Sequence, residues 1–243
     1  MHDVSIVSEK IFTALQLVNE DKYDEALEII QSIIGNPELL EKVTPVHWQN
    51  IGDIYLMVCD FTNAKEAYIK ANNNIGIAFT LVFTKQLNEA KKVIKSLPDS
   101  PPKKWCNFLI GLFDGATWIQ WPTFLEIRNF MELTIYLLLK TENQTYLNQI
   151  LKNLKRLLDI NLDSEKLIGY AFFHSGKSEE ATTFLFNSLQ RNSYDGEAYL
   201  VLGKLFMQKG LMRDAMAMLE NAKMLIPEHE PTIELLEKVK SMI

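Results

Sequence analysis

Residues 199–227, YLVLGKLFMQKGLMRDAMAMLENAKMLIP, divide into two apolar-periodic segments, Tyr199 to Gln208 and Arg213 to Leu225, separated by Lys209-Gly210. Tyr199, Leu202 and Phe206, then Ala215, Leu219 and Ala222, recur at the spacing of one helix face. The pattern predicts a helical hairpin. Gly203 and Ala215 are small enough to let two antiparallel helices approach, Gly210 suits a left-handed helix end, and Pro227 stops the second helix.

The order aromatic, Leu-Gly, aromatic, Gly, Ala, Leu, Ala, Pro in this stretch resembles the tetratricopeptide repeat, with its W-x2-L-G-x2-Y…A-x3-F…P signature and 34-residue period. That resemblance implies an all-α chain, an α-solenoid of helical hairpins wound as a right-handed superhelix. It also implies a role in binding proteins.

The same pattern recurs elsewhere. Ala14 and Leu17, a turn at 19–22, and Tyr23, Ala26, Ile30 and Ile33 outline a first hairpin with acids at Asp24 and Glu25, where a helix N-terminus favours them. Trp48, Ile51, Gly52 and Tyr55, followed by Ala64, Tyr68 and Ala71, form a second. Ile77, Ala78, Leu81, Leu87, Ala90 and Ile94 form a third, without the glycine and ended by Pro98. Stepping back 34 residues from Gly203 reaches Gly169, and a further 34 reaches Ile135. Glu126 to Leu158 therefore reads as a divergent fourth repeat, with Pro122 in the first turn of a helix running to Lys140. Ser164 to Leu189 reads as the fifth, with Ser178-Glu179-Glu180-Ala181 as a capped helix start.

Residues 1–243 are expected to form a single solenoid. It has regular repeats over about 8–98, an irregular aromatic insertion at 99–123, divergent and regular repeats over 124–227, and a capping helix at 228–243. Ile233, Leu236 and Val239 make the stripe with which that last helix covers the open end.

Composition narrows the function. In 243 residues the net charge is −6 and the pI about 5.3, which disfavours a nucleic-acid backbone as partner, since that affinity rests on clustered Lys and Arg. Only Cys59 and Cys106 are present, too few for a disulfide framework or a thiolate metal site. The N-terminus lacks a signal-like pattern, and the longest apolar run, Leu133 to Leu139, is too short for a membrane span. A cytoplasmic, bacterial protein is expected, and the Asn143-Gln144-Thr145 sequon is read as chance.

No nucleotide-binding, nucleophile-elbow or zinc-protease motif occurs, and His2, His47, His174 and His229 lie apart from one another and from the cysteines. The expectation is a non-catalytic chain with no cofactor and no metal. In the family, the first helices of successive repeats line a groove that holds a peptide or a helix. The matching positions here include Phe79, Val82, Tyr170, Phe173 and Met207, which together suggest an apolar anchor on the partner. Gln49 with Asp53, and Lys166 with Tyr170, do not supply the Lys and Asn set with which one branch of the family clamps chaperone C-termini.

A second candidate surface is the insertion, which holds Trp105, Trp118 and Trp121, three of the four tryptophans. It reads either as a plug between mismatched layers or as a contact surface, and Trp118 and Trp121 are its candidate contacts. The leading expectation is an adaptor that binds a peptide or helix of another protein, with homo-oligomerisation open. The alternatives are the helical-repeat region of a larger bacterial enzyme, such as a glycosyltransferase, and a peptide-sensing regulator.

Overall fold

The computed structural model describes residues 2–243, with side chains described from residue 6. The described residues are helical and contain no strand, and the chain has the all-α, hairpin-built solenoid class that the repeats imply. It divides into two compact units, Met1–Trp121 and Pro122–Ile243.

The first unit contains α1 (His2–Asn19), α2 (Tyr23–Ile34), the short α3 (Pro37–Leu40), α4 (Pro45–Met57), α5 (Phe61–Lys70), α6 (Asn74–Phe83), α7 (Leu87–Lys95) and α8 (Pro101–Phe113). Its helices pack pairwise as α1/α2, α4/α5 and α6/α7. Successive pairs are joined through α1 with α4 and α5 with α6, and α8 lies against α6 and α7.

The second unit contains α9 (Phe124–Lys140), α10 (Gln144–Lys152), α11 (Leu154–Ile160), α12 (Ser164–His174), α13 (Ser178–Arg191), α14 (Gly196–Gln208), α15 (Met212–Leu225) and α16 (Glu230–Lys240). Its pairs are α9/α10, α12/α13 and α14/α15. The first helices α9, α12 and α14 lie side by side, and α16 closes on α15.

One register runs through all six hairpins. A residue in the left-handed region stands seven positions after each crossing residue: Asp21 (φ 60°), Cys59 (62°), Lys85 (63°), Glu142 (52°), Gly176 (76°) and Gly210 (73°). Each turn closes with the next N–H donating back to the carbonyl five residues earlier, as in Leu211 to Phe206 at 2.9 Å, Asn143 to Leu138 at 2.9 Å and Lys22 to Leu17 at 2.8 Å. The hydrogen-bond pattern, not the glycine, defines the turn, so four of the six turns were invisible to a search for Gly.

At the crossing itself, space decides. A Cβ on Gly203 would sit 2.7 Å from Leu219 Cδ2, and one on Gly169 would sit 2.9 Å from Leu185 Cγ. In the fourth hairpin the crossing residue is Ile135 and the residue opposite it in register is Leu147, both large and both buried. Two bulky residues at a crossing hold helices apart, and α10 meets α9 over a shorter stretch than α13 or α15 meets its partner. The second helix of this hairpin then breaks at Asn153, whose side-chain amide donates to the Gln149 carbonyl at 2.8 Å, giving α10 and α11 in place of one helix.

Several local expectations are corrected. Pro122 precedes α9; Thr123 is its N-cap, and Glu126 Oε2 accepts from the Thr123 N–H at 2.5 Å in a capping box. Ser178 is the first helical residue of α13 and caps nothing, although Glu179 and Glu180 do fill the first turn. On α16 the buried residues are Thr232, Leu236 and Val239, with Thr232 hydrogen-bonded to His229 Nδ1 at 2.8 Å; Ile233 is only half-buried.

Candidate functional site

The insertion begins as a regular helix. Along α8 the side chains of Trp105, Cys106, Phe108 and Leu109 are buried, and the Cys106 thiol is pushed up to about 12 by that burial. Gly115 at φ 70° ends the helix, after which the chain turns back: Ile119 lies 3.6 Å from the position of a Cβ on Gly111, and Trp121 packs on Phe108 with ring centroids 5.5 Å apart. Trp105 meets the same Phe108 at 5.2 Å. The aromatic group thus divides in two. Trp105, Phe108 and Trp121 fill the seam along α8, while Trp118 stands 77% exposed.

In the first unit, Val82 has no accessible surface and Phe79 retains 8%, with its ring edge-on to Phe83 at 4.9 Å. Both are packing residues of α6. Asp53 on α4 accepts a hydrogen bond from the Tyr68 hydroxyl at 2.7 Å, and burial holds its carboxyl above the usual range against the pull of that bond.

The second unit holds the remaining candidates. Met207 on α14 is half-buried and packs against the core of α14, α15 and α16 around Leu200, Leu219 and Leu236. Tyr170 and Phe173 are half-buried on α12, which packs against both α9 and α14. Around them are charged residues. Lys166 Nζ lies 2.8 Å from Asp195 Oδ2 and 3.7 Å from Glu197 Oε2, with 15% of its side chain accessible. Burial works against the ammonium, but the hydrogen bond and field of Asp195 outweigh it, and its pKa is raised. Asp195 also caps α14, accepting the Ala198 N–H at 3.1 Å.

Glu132 lies on α9, which packs against α12. Its side chain remains 39% accessible, yet desolvation raises its carboxyl to about 6. Its neighbour is His174, whose Nε2 is 4.0 Å from Glu132 Oε1.

The Tyr170 hydroxyl is buried and has no hydrogen-bond partner. Burial, then the fields of Asp195, Glu197, Glu132 and Asp163, raise its pKa far above that of a free phenol. The surroundings of Tyr170 on α12 are therefore mixed, with apolar Phe173 three residues along the helix and carboxylates acting on the hydroxyl.

Glu132 and Lys166 are 34 residues apart, as are Asp163 and Glu197, so the repeat period itself puts these charges in register. The apolar reading of the face took no positions from the fourth repeat, and so passed over Glu132. Elsewhere, no group of three or more His, Cys, Asp or Glu among the described residues is arranged to hold a metal ion. No helix of the described residues is long and apolar enough to cross a membrane.

Comparison with known proteins gives one family match: the tetratricopeptide repeat, over residues 196–229. No curated protein matches the chain. Among solved structures, a tetratricopeptide repeat protein from Parabacteroides merdae is similar at 14% identity and a TM-score of 0.38, with 96% of this chain and 98% of that one covered. The APC/C hetero-tetramer Cut9-Hcn1 is similar at 14% identity and a TM-score of 0.38, with 93% of this chain covered. This chain spans 48% of the length of that one.

Proposed function

Since the chain is a tetratricopeptide-repeat protein, with its matched repeat at residues 196–229, we propose that it is a non-catalytic scaffold that binds a peptide or helix of another protein on the face formed by α9, α12 and α14. The observation that carries this reading is half-buried Phe173, three residues along α12 from Tyr170, whose hydroxyl is buried and unpartnered. Apolar side chains give an extended or helical ligand its anchors, and a buried hydroxyl without a partner is a polar group awaiting one. Phe79 and Val82 lie beneath the surface of the first unit and support its packing, so they are set aside as contacts.

The test is selection from a random peptide library displayed against the full chain, followed by affinity measurement with Phe173→Ala. Selected peptides should bind the parent chain and lose at least roughly 10-fold in affinity with the variant, as hot-spot truncation does. Unchanged affinity with the variant would remove this face as the site.

Trp118 favours a second surface. An indole 77% exposed between the exposed Thr117 and the half-buried Ile119 has the residue type that interface hot spots prefer. Trp118→Ala should then weaken partner binding or self-association while leaving the melting temperature unchanged.

A further inference from the structure

We propose that the face formed by α9, α12 and α14 is built to receive one cationic side chain, lysine or arginine, from the bound segment. Its head would lie between the Glu132 carboxylate and the Tyr170 hydroxyl, with Glu197 at the rim. This names the partner chemistry of the site proposed above and rests on that reading.

Charge comes first. The Tyr170 hydroxyl lies in the field of four carboxylates, Asp163, Asp195, Glu197 and Glu132. Lys166 is committed to Asp195 at 2.8 Å and reaches Glu197 at 3.7 Å, so one ammonium is spread over two of those four. Glu132 Oε1 stands 4.0 Å from His174 Nε2, a distance beyond hydrogen bonding. The face is net negative where its polar groups converge. A carboxy-terminal or phosphorylated ligand would be repelled there, and a cation drawn in.

Unmet bonding capacity is the second, independent observation. The Tyr170 hydroxyl is sealed from water without a partner, and nothing in the folded chain replaces the bonds it gave up. Glu132 is in the opposite position: reachable, at 39% accessibility, but poorly solvated. A hydroxyl and a carboxylate can both accept from an ammonium or guanidinium, which donates without accepting. Phe173 would then cover the aliphatic stem of the same side chain, since Lys and Arg lay their methylenes along apolar surface while the charge stays with polar partners.

Peptides selected on the full chain decide the matter. The proposal expects them to share a Lys or Arg flanked by apolar residues. Replacing that residue by norleucine should weaken binding at least roughly 10-fold, as loss of one member of a desolvated charge pair does. Glu132→Gln should produce a comparable loss, and the exposed Glu228→Gln should not. Tyr170→Phe should weaken the same peptide while leaving the unliganded melting temperature equal or higher, because it removes an unsatisfied hydroxyl; a merely structural tyrosine would not separate the two readouts. Peptides that depend on Phe173 but carry no basic residue, or that bind Glu132→Gln as well as the parent, overturn the cation and leave the groove standing. Binding indifferent to Phe173→Ala, or no selected peptide at all, overturns the groove and the cation together.

Discussion

The ring of Tyr68 lies so close to Gly52 that a Cβ on the glycine would sit 2.6 Å from the ring's Cε1. The other side of the same ring reaches Gly76, where a Cβ would meet Cδ1 at the same 2.6 Å. Tyr68 of α5 is thus held between a glycine of α4 and a glycine of α6, and its hydroxyl is tied to Asp53. Gly52→Ala is expected to destabilise the first unit by ~1–3 kcal/mol through overpacking, and Gly203→Leu to do the same to the second against Leu219. Thermal or denaturant melts of each variant check this. An unchanged melt for Gly52→Ala would mean the ring moves aside freely.

The left-handed turn residues predict the opposite sign. Lys85 and Glu142 hold φ values of 63° and 52° in turns where the equivalent residues of the last two hairpins are Gly176 and Gly210. A side chain in that region is strained and glycine is not. Lys85→Gly and Glu142→Gly should each stabilise by roughly 0.5–1 kcal/mol, and Gly176→Ala should cost about 1–2 kcal/mol. Denaturant midpoints at constant m-value are the measurement, and loss of stability in both glycine variants would contradict the turn geometry.

Glu132 gives a pH dependence of known direction. Its carboxyl titrates at about 6 in the fold against 4.5 when unfolded, so between those values the folded chain holds more protons than the unfolded one. Stability therefore falls as pH rises through that window and the cost is fully present above it. With 39% of the side chain accessible, solvent screening limits the cost to on the order of 1 kcal/mol or less. Glu132→Gln should be more stable than the parent above pH ~6 and level with it near pH ~4.5. Parallel stability curves across that range would show that the carboxylate is well solvated.

The two insertion tryptophans should behave differently. Trp121 packs on Phe108 in the α8 seam, and Trp118 is 77% exposed. Trp121→Ala is expected to cost ~1–3 kcal/mol, and Trp118→Ala to stay within about 0.5 kcal/mol. Equal losses in both variants would mean that Trp118 is packed in solution.

The pairing of helices was legible because helical periodicity and small crossing residues are local properties of sequence, and the period carried that reading across Ile135, where no glycine marks the crossing. What escaped were features that depend on where backbone bonds go. The turn expected at 19–22 is present at Asp21, but the break at Asn153 and the turns at Cys59, Lys85 and Glu142 have no residue type that announces them. At the candidate site, Tyr170 and Phe173 were found by position in the repeat. Glu132 was one period before Lys166 and equally accessible to the same arithmetic. Its desolvation, and the orphaned state of the Tyr170 hydroxyl, arise only once α9, α12 and α14 stand side by side. The burial of Val82 likewise follows from its packing within the first unit and not from its place in the repeat.

The most direct measurement is amide hydrogen exchange of the full chain with and without a saturating selected peptide. Ligand bound on the proposed face should slow exchange in α12 and α14, with the largest change around Tyr170 to His174 and Lys204 to Gln208, because opening those helices would require releasing the peptide. Protection confined to residues 114–121 or to α16, with α12 and α14 unchanged, would contradict the account.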